Sequence, residues 1–285
     1  MMRNMKLIGL PLLAVVAYML LGGVLLRLGL NPIVSTLITD LVAFGLSFWY
    51  LWGRPVPVDG DGRSLLQAPA KPVLWIGLAL VWVFGQITAS LVLVQTGDPS
   101  FQTYHSELND VTGVMMWLSL LLTVVAAPLC EEFLMRGVVF GTWRKVNPWF
   151  AFFGSSLLFA FLHGTLTHLV PTFLTGMLLA VAYAVTGRIW FTVVLHIGYN
   201  LGASLLGGIS LPAVLFEPWA FITVDVLLFV WLCLEFRRAL KSDVTYEVAG
   251  SVSEPLGIAK MIRRRKGDGS DGKTKEAPRV ENGDA

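Results

Sequence analysis

Long apolar runs dominate the chain, and polar breaks separate them. An α-helix needs about 20 predominantly apolar residues to cross a bilayer. Eight runs approach or exceed this length, at roughly 5–26, 33–52, 73–95, 113–142, 149–163, 168–186, 189–206 and 213–235. The breaks carry turn-forming pairs such as Asn31-Pro32, Asn147-Pro148 and Gly207-Gly208. The pattern predicts an all-α, polytopic transmembrane helical bundle of about eight spans, the first of them retained rather than cleaved as a signal peptide.

The composition indicates that lipid surrounds this bundle. Hydrophobic residues make up 55% of the chain and charged residues only 14%, whereas soluble domains carry about 25% charged residues. The segment 241–285 is polar and Gly-rich, which predicts a disordered tail. The chain has no phosphate-binding glycine motif and no basic helix with interleaved aromatic residues, so we expect no nucleic-acid partner.

The basic residues predict how the bundle sits in the membrane. If the first span starts in the cytoplasm, eight crossings place most of the lysines and arginines on the cytoplasmic side and leave Arg27 on the other. This distribution satisfies the positive-inside rule. We therefore expect a multi-pass protein of the cell membrane, with both termini and the 53–72 loop in the cytoplasm and the 97–112 loop outside.

A few ionisable residues interrupt the apolar runs, where they are costly and often functional. They are Asp40, Glu131, Glu132, Arg136, His163, His196 and Asp225. Glu132 and Arg136 are four residues apart with the acid first, the favourable order for an ion pair on a helix. Glu131 points about 100° away, which leaves it available as a general acid or base. The alternative is that both acids only hold the bundle together.

Two histidines and an asparagine form the second set of candidates. His163 ends the fifth run, and His196 and Asn200 share one face of the seventh because they are four residues apart. Counted from the flanking cytoplasmic residues, these three and Glu131 lie about 12–21 Å deep, so all four can meet in one cavity. Asp40 and Asp225 have no partner nearby in the sequence, and both a functional and a structural role stay open for them.

Together these residues resemble the motifs of the CAAX protease and bacteriocin-processing (CPBP, or ABI) family of intramembrane peptidases. The motifs read Glu131-Glu132-x-x-x-Arg136, Phe159-x-x-x-His163 and His196-x-x-x-Asn200, in the family's order. The resemblance implies that Glu131 and His163 activate a water molecule, that His196 and Asn200 bind the oxyanion, and that Glu132 and Arg136 support the site. The resemblance covers 113–206, which it implies is a catalytic helical core. The apolar runs divide the rest of the chain into N-terminal helices and an outer loop at 1–112, a last span at 207–240 and the tail at 241–285.

The predicted function is therefore that of an intramembrane endopeptidase acting on a membrane-associated protein or peptide. The alternative is a non-catalytic membrane protein, either a bacteriocin-immunity factor or a transporter. The family is widely labelled metallopeptidase, and Glu131, His163 and His196 would be the Zn²⁺ ligands in such a mechanism. Because the partner of His196 on its helix face is Asn200, a poor zinc ligand, a metal-independent mechanism is favoured slightly and the zinc mechanism stays open.

Overall fold

The computed structural model describes residues 2–51, 72–97, 99, 112–163, 166–206 and 218–241. Within these ranges the chain forms eight long helices and no strand, which confirms the all-α prediction. The helices are α1 (Met2–Arg27), α2 (Pro32–Leu51), α3 (Pro72–Thr96), α4 (Val114–Trp143), α5 (Pro148–Leu162), α6 (Leu166–Thr186), α7 (Ile189–Leu206) and α8 (Pro218–Lys241). Most of the predicted loops at 53–72 and 97–112, and almost all of the predicted tail, lie outside the described residues.

The helices differ in whether they are long enough to span a membrane. In the described part of the chain, five are long and apolar enough by length and composition: α1, α2, α4, α6 and α8. Two shorter apolar stretches lie in α3 and α5. The 15 residues of α5 extend about 22 Å at 1.5 Å per residue, less than a hydrocarbon core of about 30 Å. α5 is therefore too short to cross the apolar layer by itself, and His163 follows directly after its last residue.

The core of the bundle is built around α6. Residues 177–184 of this helix are buried without interruption, and α3, α5 and α8 pack around it. The contact with α5 depends on Gly176, because a Cβ placed there would lie 3.0 Å from the Ser156 Cα atom. Because the helices approach so closely, backbone atoms of α6 come within reach of side chains on neighbouring helices.

α4 departs from regular α-helical geometry in two places. The segments Leu122–Ala126 and Phe133–Phe140 are π-helical, and Ala127 N–H accordingly donates to the carbonyl oxygen of Leu122. The first π segment precedes Pro128, which has no amide hydrogen to donate. π-helical turns are rare overall, and those that do occur within α-helices are frequently found at functional sites. Glu131 and Glu132 lie in the short α-helical segment between the two π segments.

Candidate active site

Arg136 connects three helices at the centre of the bundle. Its Nε atom lies 3.2 Å from Glu132 Oε2, and both side chains are fully buried. Its Nη2 atom donates a hydrogen bond of 2.9 Å to the carbonyl oxygen of Gly176 on α6. The guanidinium carbon lies 4.9 Å from the centroid of the Phe159 ring on α5. The ion pair expected from the sequence is present, and Arg136 in addition ties α4 to α5 and α6.

Glu132 also binds His196, a contact that the sequence analysis missed. His196 Nδ1 lies 3.0 Å from Glu132 Oε1, and a carboxylate that is ion-paired to arginine accepts this hydrogen bond. His196 Nε2 then faces Glu131 Oε2 at 3.7 Å. In the Ser-His-Asp triad of serine proteases, a buried carboxylate orients an imidazole by the same kind of hydrogen bond. Glu132 therefore both neutralises Arg136 and sets the orientation of His196.

Glu131 differs from its neighbour in surroundings and exposure. The side chain of Glu131 is 17% exposed, whereas that of Glu132 is fully buried. Glu132 is the acid that forms the ion pair with Arg136. The structure therefore leaves Glu131 as the carboxylate that can reach a bound molecule.

His163 lies at the exposed end of α5. Its Nδ1 atom is 2.9 Å from the carbonyl oxygen of Phe159, and because a carbonyl can only accept, Nδ1 is the donor and neutral His163 keeps Nε2 as an acceptor. The contacts of the ring in the described residues are with Phe159 rather than with Glu131. The joint action of Glu131 and His163 on one water molecule therefore stays a prediction.

The ring of Phe159 lies between the two histidines. Its centroid is 4.8 Å from that of His163 and 5.5 Å from that of His196, both in edge-to-face geometry. Its face also lies beneath the Arg136 guanidinium. The sequence analysis names Phe159 only as part of a motif. The i, i+4 spacing between Phe159 and His163 is the one sequence signal that the Phe159 ring could contact the site.

Asn200 lies one helical turn beyond His196 on α7. Its Nδ2 atom donates a hydrogen bond of 2.8 Å to the carbonyl oxygen of Thr123, in the first π segment of α4. The amide has a second N–H, so the group can still donate to a substrate. The predicted oxyanion role of His196 and Asn200 is not tested by these contacts.

The candidate zinc ligands are not gathered into a metal site. No group of three or more His, Cys, Asp or Glu side chains among the described residues is placed to hold a metal ion. The Nδ1 atoms of His163 and His196 are engaged with Phe159 and Glu132, which leaves one nitrogen on each ring. Hydrogen bonds of this kind also occur on metal-bound histidines, so the predicted zinc mechanism is not tested by this arrangement, and we derive no step through a metal.

Two isolated aspartates have partners on other helices. Tyr18 on α1 donates to Asp40 Oδ1 at 2.8 Å, and Thr88 on α3 donates to Asp225 Oδ2 at 2.6 Å. The sequence showed no partner for either acid, because each partner lies on a different helix. In membrane helices such pairs satisfy groups that water cannot reach.

The fold and the site together define a polytopic membrane protein with a buried carboxylate–histidine centre. Residues 113–202 match the family model of Rce1-like type II CAAX prenyl endopeptidases. Over this central part of the chain, the match confirms the resemblance to the CAAX protease and bacteriocin-processing family that was inferred from the motifs.

Two curated relatives match the chain over part of its length. A protein of Bacillus subtilis (strain 168) named "Putative membrane peptidase YdiL" is 33% identical over 135 residues, which is 44% of this chain and 55% of that protein. An "Uncharacterized 24.3 kDa protein" of Escherichia coli is 31% identical over 151 residues, 51% of this chain and 66% of that protein. The chain thus spans about half the length of the Bacillus relative. No solved structure matches it.

Proposed function

We propose that this protein is an intramembrane endopeptidase that hydrolyses a peptide bond of a membrane-associated protein or peptide. One observation carries the proposal: Glu131 is the accessible acid of an otherwise buried pair, and it faces His196 Nε2 at 3.7 Å. Its neighbour Glu132 holds both His196 and Arg136. The family match over 113–202 supports a peptidase in general terms.

The arrangement suggests a role for each side chain in hydrolysis. Glu131 takes a proton from water as the water oxygen attacks the peptide carbonyl carbon. The same proton then passes to the leaving nitrogen as the carbon–nitrogen bond breaks. His163 can accept a hydrogen bond at Nε2 and help to hold the water.

The negative charge that develops on the carbonyl oxygen needs donors that are already in place. Asn200 has a free N–H beside its bond to Thr123. Glu132 holds His196 through Nδ1 and directs Nε2 toward Glu131, and in the doubly protonated form of His196 the Nε2–H is a second donor. Fixed donors in a site that excludes water stabilise an oxyanion strongly, so this pair completes the proposed mechanism.

The test compares peptides in membranes from cells that express wild-type protein or E131Q. We expect specific membrane-derived peptides to appear with the wild type and to be absent with E131Q. The matched control is E235Q, because Glu235 on α8 pairs with Arg238 near the end of that helix and takes no part in the proposed site. Identical peptide pools for wild type and E131Q would contradict the proposal and favour a non-catalytic membrane protein.

A further inference from the structure

α2 brings a buried acid to the site from outside the segment that matches the family. Asp40 is 1% exposed, and its Oδ1 atom accepts the hydrogen bond from Tyr18. Its Oδ2 atom has no hydrogen-bond partner among the described residues. A buried ionisable group in a membrane helix is costly and tends to have a function.

The helix that carries Asp40 is in contact with the helix that carries Glu131. α2, which carries Asp40, packs directly against the short α-helical segment of α4 that holds Cys130 and Glu131. Tyr18 reaches Asp40 from α1 through the hydrogen bond of 2.8 Å. Polar groups from α1 and α2 thus converge on the turn of α4 that carries Glu131.

The packing of α2 permits this approach. The residues that α2 buries besides Asp40 are mostly small: Ser35, Thr39, Ala43, Ser47 and, at its end, Leu51. Small residues on one face let two helices in a membrane approach closely. The face of α2 that carries Asp40 is therefore packed against its neighbours rather than exposed to lipid.

We propose that Asp40, held by Tyr18, is a positioning residue that fixes the α4 turn carrying Glu131. The inference rests on the proposed peptidase function. A buried hydrogen bond adds a directional restraint on the rotation and depth of two helices to the apolar packing between them. A displacement of about 1 Å at a reacting group can cost about a hundredfold in rate, so this link between α1 and α2 would affect turnover without contacting the substrate.

The test uses purified full-length protein and a synthetic peptide that spans a cleavage site mapped in wild-type cells. We expect Y18F and D40A to lower kcat about tenfold per folded molecule, with KM within about twofold of wild type. D40N keeps an oxygen that accepts from Tyr18, so its kcat should stay within about threefold of wild type. Y18F removes only a hydroxyl group, which keeps the proposal testable if D40A does not fold.

The second hydroxyl–aspartate pair supplies the matched controls. T88V and D225A make the same kinds of change at the Thr88–Asp225 pair, and we expect wild-type kcat for both. Wild-type kcat in Y18F or D40A would overturn the proposal, as would a D40N enzyme as slow as D40A, since charge rather than the hydrogen bond would then matter. Cleavage that persists in E131Q would instead overturn the proposed function, whatever the result for Asp40.

Discussion

Adjacent glutamates occupy different environments in this site, although they are chemically identical. Glu132 is enclosed by Arg136 and His196, and it is fully buried. Glu131 lies on a different side of the helix and is partly accessible. Neighbouring positions on a helix point about 100° apart, so one acid can support the site while the other works in it.

The first prediction separates these two roles. E131Q should abolish cleavage while the folded protein accumulates as in the wild type. E132Q should lower the amount of folded protein, because removing one partner of a buried ion pair costs about 3–5 kcal/mol in soluble cores. Membrane abundance, thermal unfolding and cleavage rate measure the difference. Equal loss of activity at normal abundance in both variants would contradict it.

A second prediction concerns Phe159. F159L keeps an apolar side chain but removes the ring that contacts His163, His196 and Arg136. Aromatic pairs contribute about 0.5–1.5 kcal/mol each beyond burial. We expect a stability loss of that order and a fall in kcat of about tenfold, because both imidazoles lose a fixed neighbour.

The control for Phe159 lies two turns earlier on α5. Phe152 is fully buried and stacks on Phe236 with ring centroids 4.2 Å apart. F152L should lose similar stability and keep wild-type kcat per folded molecule. If F159L and F152L had the same kcat, Phe159 would be an ordinary core residue.

The third prediction addresses metal. Because the residue that shares the helix face of His196 is Asn200, a poor zinc ligand, we expect turnover to survive exhaustive chelation, and elemental analysis to find less than stoichiometric zinc. Stoichiometric zinc whose removal stops cleavage and whose return restores it would establish the zinc mechanism. His163 and His196 would then have to move relative to the described arrangement.

At the scale of elements, α4 and α6 decide the geometry of the site. The π segments of α4 flank the turn with the two glutamates, and α6 offers the carbonyl of Gly176 to Arg136. This carbonyl is reachable because α5 and α6 pack closely at Gly176. The arginine is thus held by backbone as well as by Glu132.

The fourth prediction tests this close approach. G176A places a methyl group 3.0 Å from Ser156 Cα, and overpacking of this kind typically costs about 1–3 kcal/mol. We expect a lower unfolding temperature and lower kcat as the Gly176 carbonyl shifts. G45A on α2 is the control, since nothing lies within 4 Å of its added Cβ. Equal unfolding temperatures for G176A and G45A would show that the contact between α5 and α6 can relax to accommodate the methyl group.

At the scale of the whole molecule, the described helices bring the first residues of α1 beside the last residues of α4. The Trp143 indole N–H donates to the carbonyl oxygen of Ile8, so the end of α4 lies beside the start of α1. Lys6, Arg144 and Lys145 flank this contact in the sequence. Such clustering is what the positive-inside rule associates with the cytoplasmic face.

The fifth prediction is the orientation, tested by cysteine labelling with a membrane-impermeant reagent. For this experiment the two native cysteines are first replaced, as C130A and C233A, so that only the introduced cysteine can react. In intact cells we expect Y104C to react, and D61C to react only after permeabilisation. Both positions lie outside the described residues, so the labelling tests the sequence prediction alone. Reaction of D61C but not Y104C in intact cells would reverse the orientation.

The sequence by itself determined the features that depend on local spacing. Apolar runs of spanning length predicted the helices, because length and composition decide whether a helix can lie in lipid. The i, i+4 spacing predicted the Glu132–Arg136 pair, since helical geometry alone brings the two together. The ordered motifs identified the family and the residues of the candidate site.

Only the tertiary structure decided which helices share those residues. Glu132 meets His196 across 64 positions of the chain, and Arg136 meets the Gly176 carbonyl across 40. Tyr18 gives Asp40 a partner that no local pattern reveals. The physical reason is common to all three contacts: helix rotation and depth come from side-chain packing over the whole bundle, and apolar periodicity leaves both undetermined.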